Sequence, residues 1–255
     1  MKVGVFDSGI GGLSVVKSLV NHKLFEEIIY YGDTARVPYG VKDKNVIVRY
    51  ALEALEFFKN FEIDILIAAC NTVSAFAMEE LRASAPFPVV GVIEPGVIAL
   101  TNKQQNKESN ILILGTKATI KSKKYERLLK QRKYTNTNSI ATGLFVPIVE
   151  EGIFSGEILE TTMKHYFKDI DSQKVDSVIL GCTHFPLIES EIQNYFKNAK
   201  TIHSGEAIVE YLRANYDCDK KFENTKITYF ASENPDGLKK IAKAWINDTN
   251  NGENR

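Results

Sequence analysis

Two cysteines end apolar runs of the same shape. DILIAAC runs from Asp64 to Cys70 and DSVILGC from Asp176 to Cys182, with Asp and Cys at the same spacing in both. A polar pair follows each thiol, Asn71-Thr72 in one and Thr183-His184 in the other. A helical pattern begins after each pair, with Pro186 suited to a first turn. A thiol between a strand end and a helix start lies in the positive field of the helix terminus, worth roughly 0.3–1 kcal/mol and about 2 when partly buried. Starting from about 8.5 for a free thiol, that field brings the expected pKa to about 7–8. A group poised there can take and give a proton near neutral pH. Burial acts in the opposite sense, which makes Asp7 and His184 candidates to assist Cys70 and Cys182.

The other chemistry-bearing stretch is VFDSGIGG, from Val5 to Gly12. It reads as a buried strand, an Asp-Ser pair and a glycine turn, then a helix marked by Leu13, Val16, Leu19 and Val20. A dinucleotide fingerprint starting at Gly9 needs Gly or Ala where Ser14 stands, and a P-loop needs Gly before Lys17-Ser18 where Val16 stands. Asp7 at the strand tip would also repel a phosphate. Asp33, ending the next strand run, keeps a ribose-binding reading open. Zinc held by Cys70, Cys182 and His184 is a third reading, weakened by the lack of compact ligand spacing. A lone cysteine is commonly a small buried hydrophobe, and Cys218 is read as a peripheral residue without a chemical role. His22 and His165 read as solvated, and His203 is left open.

Such side chains need a scaffold. The chain has 255 residues, 44% hydrophobic and 25% charged, with 32 basic and 32 acidic side chains, enough for a large core and without a basic bias for nucleic acid. There is no apolar run of membrane-spanning length. The opening strand leaves no room for a signal peptide, and three scattered cysteines make no disulfide framework, so the expected compartment is the cytoplasm. Strand-like runs recur at 3–6, 28–31, 63–68, 89–92, 111–114, 178–180 and 227–230. Helical patterns fall at 46–58, 74–83, 123–131, 156–167, 187–196, 207–213 and 237–246. The stretch 101–110 reads as a surface connection, and the tail NDTNNGENR as frayed. Alternating strands and helices predict an α/β fold with mostly parallel sheets flanked by helices. The repeat around the two cysteines, with VFDSG echoed by ILGTK at 113–117, predicts two similar domains facing each other.

The motifs VFDSGIGG, YYGDTARVPYG, AACNTVSA, VVGVIEP, LGTKATI, FVPIVEEG and GCTHFPL, extended by IHSGEAIVEYL, closely resemble those of the glutamate racemases. The resemblance implies cofactor-independent interconversion of L- and D-glutamate, with no metal. It implies a pseudo-twofold pair of domains, 1–95 with about 209–255 and 96–208, around a closed central cleft. Cys182 would handle L-glutamate and Cys70 D-glutamate, from opposite faces, assisted by His184 and Asp7. Glu150 would sit in the cleft, with Glu151 as its solvated neighbour. Ser8, Tyr39, Gly40, Asn71 and Thr72 would line the pocket from one side. Thr116, Thr119 and Thr183 would line it from the other, with Asp7 and His184 also touching substrate. The family further implies a homodimer, D-glutamate supply for peptidoglycan, and a C-terminal segment with Trp245 packed on the first domain. Longer relatives carry an N-terminal extension tied to activation by a cell-wall precursor, which is not expected here. An aspartate or broad-specificity racemase, or a nucleotide-binding regulatory module, are the rival readings.

Overall fold

The structure, a computed structural model, describes residues 1–218 and 220–247. All but the first residue of the polar tail, and with it the end of the 209–255 segment, lie outside the described residues. The strands, in chain order, are β1 (Lys2–Asp7), β2 (Glu27–Gly32), β3 (Ile65–Ala68), β4 (Val89–Gly91), β5 (Ile111–Gly115), β6 (Thr137–Ala141), β7 (Ser177–Gly181), β8 (Lys200–His203) and β9 (Lys226–Ala231). The helices are α1 (Leu13–Asn21), α2 (Lys44–Phe58), α3 (Asn71–Phe76), α4 (Met78–Ser84), α5 (Ile93–Lys103), α6 (Lys117–Lys121), α7 (Lys124–Gln131), α8 (Phe145–Glu150), α9 (Glu157–Phe167), α10 (Glu189–Tyr195), α11 (Ser204–Asn215) and α12 (Pro235–Asn247).

One sheet has the order β4-β3-β1-β2-β9 and the other β6-β5-β7-β8, with every pairing parallel. Turned to the same view, β4-β3-β1-β2 repeats as β8-β7-β5-β6, and β9 is an added edge. The register carries the repeat to single residues. Val3 pairs with Ile65 and Ile111 with Ser177, so Ser8 matches Thr116 and Cys70 matches Cys182. The aspartate of each echo has the same task. Asp64 accepts from the Lys2 N–H at 2.7 Å, and Asp176 from the Asn110 N–H at 2.8 Å, pinning the start of the central strand beside it.

β1, β3, β5 and β7 have helices on both faces, which is why their sequences are near-continuous apolar runs. On one side of the first sheet, residues of α1, α11 and α12 pack against Val3, Val5 and Ile67. On the other, Ile47, Leu55 and Phe58 of α2 meet Phe6 and Leu66. Leu112 and Leu114 of β5 face Phe145, Leu159 and Phe167, whereas Ile111 and Ile113 face Val97 and Leu129. Ala207 of α11 joins this last core while Ile208 and Leu212 join the first, so α11 spans both halves.

Several expectations shift. The pattern at 74–83 divides into α3 and α4 at Ala77. α5 was not foreseen, and it shortens the 101–110 connection to 104–110. A 3-10 turn, Phe185–Ile188, precedes α10 where a helix start was expected after Cys182. His22 is not simply solvated: it meets Glu206 at 2.8 Å and ties the end of α1 to α11. His165 is exposed, and His203 lies 3.9 Å from Glu189. Among the described residues no helix is long and apolar enough to cross a membrane.

Candidate active site

The C-terminal ends of β1, β3, β5 and β7 converge, the usual position for a ligand site in a parallel α/β sheet. β3 delivers Cys70 as the N-cap of α3, and β5 delivers Thr116 as the N-cap of α6. β7 ends at Gly181, immediately before Cys182, and β1 at Asp7, immediately before Ser8. They border a cavity of about 20 Å³ with both thiols in its wall. Ser8, Tyr39, Gly40, Asn71 and Thr72 line it from the first half, and Thr116, Thr183 and His184 from the second, together with Val37, Pro38 and Val146.

The two thiols have different company. Cys70 lies 3.5 Å from the Ser8 hydroxyl. Burial pushes its thiol up to about 12, the Asp7 charge pushes the same way, and the Ser8 hydroxyl and Val73 N–H pull down. The helix terminus is present, but its field is smaller than the desolvation, so the expected value of about 7–8 does not hold at Cys70. Cys182 lies 3.7 Å from His184 Nδ1, and His184 Nε2 is 3.0 Å from Glu150 Oε1. Burial acts to lower this imidazole. Its hydrogen bonds to Cys182 and Glu150, with the Cys182 and Asp7 charges, outweigh that and hold it at about 10.

Three of the expected residues stand behind the wall. Asp7 is fully buried beneath the cavity, accepting from the Gly9 N–H at 3.0 Å and the Thr183 hydroxyl at 3.2 Å. Burial raises its carboxyl, against the His184 charge and these donors. Thr119 backs Thr72 and Thr116; the three hydroxyls are mutually 3.0–3.2 Å apart. Glu150 is not inside the cleft as expected: it meets the far side of His184, and its side chain is 31% exposed. α8, which carries it, buries Phe145 and Val149 and leaves Glu150 at its outer end.

The opening glycines have a steric reason. A Cβ at Gly11 would collide with Thr183 and His184, so the turn lets the two halves touch. Ser14 Oγ donates to the Thr183 carbonyl at 2.8 Å across the same seam. Sequence reasoning missed the support of the Tyr39 wall. Asp33 accepts from the Tyr39 hydroxyl and from Arg36 Nε at 2.6 Å, and Arg36 also pairs with Glu53 of α2. Asp33 is therefore a strut for the loop, not a ribose ligand. GDTARVPYG held the signal, with Asp33, Thr34 and Arg36 directly after a strand. Also missed were Tyr125 and Ser204, which bond Asn71. Among the described residues no group of three His, Cys, Asp or Glu side chains is placed to hold a metal ion.

The sequence profile of the family described as Asp/Glu/Hydantoin racemase matches residues 13–212. A glutamate racemase of Nitratiruptor sp. is 61% identical over 97% of each chain. The crystal structure of glutamate racemase from Campylobacter jejuni superposes with a TM-score of 0.95 at 55% identity, covering 97% of this chain and 98% of that one. That of Francisella tularensis in complex with D-glutamate gives 0.82 at 32% identity, over 96% and 93%. With two cysteines facing one cavity from matched strands, and with relatives this similar over nearly the whole length, the chain belongs to the Asp/Glu/Hydantoin racemase family and, within it, to the glutamate racemases.

Proposed function

We propose that this chain racemises glutamate by passing protons between two thiols. The observation that carries the reading is one cavity with Cys70 and Cys182 at matched strand ends, each with its own polar partner. The relatives' names and the D-glutamate held by the Francisella enzyme support the substrate. For L-glutamate, the Cys182 thiolate beside the His184 imidazolium takes the α-proton. The electron pair left on the α-carbon then takes the Cys70 proton from the opposite face. D-glutamate departs from an enzyme with Cys182 protonated and Cys70 ionised. That form is set for the reverse reaction, or is reset by proton exchange near Asp7 and His184. Domains 1–95 with 209–255 and 96–208 bracket the cavity, in a cytoplasmic homodimer that supplies D-glutamate for peptidoglycan. No cofactor or metal takes part in this reading.

Two bases on opposite faces mean that the proton removed and the proton delivered are different atoms. In deuterated water, D-glutamate formed from L-glutamate will carry deuterium at the α-carbon from the first turnovers, ahead of deuterium in recovered substrate. Substantial transfer of the original α-hydrogen into product would overturn the two-thiol reading. Measuring L-aspartate side by side with L-glutamate separates this reading from a broader racemase.

A further inference from the structure

The residue after each thiol reaches into the opposite half of the molecule. Thr183, next to Cys182, donates its hydroxyl to Asp7 of β1 at 3.2 Å. Asn71, next to Cys70, donates its side-chain amide to the Tyr125 hydroxyl in the first turn of α7 at 2.8 Å. Ser204, the first residue of α11, places its hydroxyl 3.4 Å from both Nδ2 and Oδ1 of the same Asn71. Asn71, Tyr125 and Ser204 are all buried, 2–3% exposed, so these groups have no water to replace a lost partner. Tyr125 is also packed by its ring: it lies close to Gly96 of α5 and to Gly181, the residue before Cys182. It belongs to the core of the second sheet, with Val97, Leu129 and Ile179.

We propose that Tyr125 and Ser204 are positioning residues for the racemisation, clasping Asn71 so that the start of α3 holds Cys70 at a fixed distance from Cys182. The Thr183–Asp7 bond is the matching clasp on the other side. Asn71 is the first residue of α3 and Cys70 its N-cap, so a tether on the Asn71 amide acts one residue from the thiol. Tyr125 packs its ring against Gly181, the last residue of the strand that precedes Cys182. Each thiol is therefore referenced to the half that carries the other. Proton transfer needs that reference, because reacting groups work from a narrow range of separations and a displacement of about 1 Å can cost about 10²-fold.

This inference rests on the two-thiol reading, and its test separates the two. Tyr125→Phe keeps the ring and its packing while removing the hydroxyl, and Ser204→Ala removes the second partner without touching Tyr125. One hydrogen bond nets about 0.5–1.5 kcal/mol, which corresponds to roughly a 2- to 12-fold loss. Each variant should lower kcat/KM by about 3- to 10-fold, equally in both directions because the enantiomers are equal in free energy in water. Each should also raise the primary isotope effect measured with α-deuterated glutamate, because a displaced thiol slows the proton-transfer step. Unchanged kcat/KM in folded variants would overturn the clasp, and so would a loss of rate with no rise in the isotope effect, which is what loosened packing alone would give. Cys70→Ser runs beside them: if it racemises near normally, the two-thiol reading fails first, and if it is inactive while both clasp variants are normal, only the clasp fails.

Discussion

Cys70 is faced by a hydroxyl with a buried carboxylate near it, and Cys182 by an imidazole backed by a second carboxylate. In this form Cys70, with its thiol at about 12, holds its proton near neutral pH, and His184, at about 10, holds its charge. In the proposed reaction one side thus stores a proton to give and the other a cation beside the thiol that takes one. If the proposed relay holds, removing either thiol removes half of it: Cys70→Ser and Cys182→Ser should each lose about 10²–10⁴-fold in racemisation, while Cys218→Ser, on the rim of the first core, should match the wild type. His184 should set the first alkaline loss of activity, as its proton leaves around pH 10. Glu150 helps to hold that proton, so Glu150→Gln should bring the loss to lower pH and reduce kcat, and Glu151→Gln, exposed, should do neither. The same linkage has a sign in stability. The folded pKa lies above the unfolded one of about 6.5, so this contribution is full below about 6.5 and is lost as pH rises through about 10. Melting curves across that window check it.

At the scale of elements, the segment from Asp33 to Val41 is a wall held at several points. Tyr39 and Arg36 are bound to Asp33, and Arg36 to Glu53. The Ala35 N–H donates to Ser232 Oγ at 2.9 Å, so the turn between β9 and α12 holds the wall from outside. At its inner end Gly40 lies against Thr116, where a Cβ would collide with the Thr116 side chain. Such overpacking typically costs about 1–3 kcal/mol. Gly40→Ala should therefore lower kcat/KM by about tenfold or more, and Gly143→Ala, where a Cβ meets nothing within 4 Å, should leave it unchanged. Steady-state kinetics with glutamate decide. The same elements show what the sequence made legible. β1, β3, β5 and β7 are buried on both faces and so read as apolar runs, and the two thiols at their matched ends could be found from the echo. β6 (TNSIA) and β8 (KTIH) are edge strands with polar, half-exposed residues, and carry no such run. α5 was hidden by Pro95-Gly96, which looks like a break but falls in the first turn, where proline is tolerated. The Tyr125–Asn71–Ser204 contact joins residues 54 and 133 positions apart, and no local pattern carries it.

At the scale of the molecule, the two halves meet around the cavity and are bridged by α11, whose faces enter both cores. α12 packs Leu238, Ala242 and Ile246 into the first core, and Trp245 at its end stacks edge-on to Phe154 of the second half at 6.3 Å. A cavity of about 20 Å³ has room for about one water, far less than an amino acid needs. Glutamate between the thiols therefore needs more room than the cavity has in this form. A ligand held in the cavity adds its contacts to those already made across the seam, including Gly11 against Thr183-His184 and Gly40 against Thr116. Binding to the folded state alone adds about 2.7 kcal/mol at a hundred times Kd. For a chain of this length that corresponds to roughly 5–10 °C in melting temperature. D-glutamate at that concentration should give such a rise. NAD and ATP should give none, because Asp7 ends β1 where a nucleotide phosphate would have to sit and Ser14 stands where the dinucleotide turn needs glycine. Thermal unfolding with each ligand in turn reads the outcome. A rise with NAD or ATP and none with D-glutamate would return the opening glycine turn to a nucleotide and remove glutamate from the cavity.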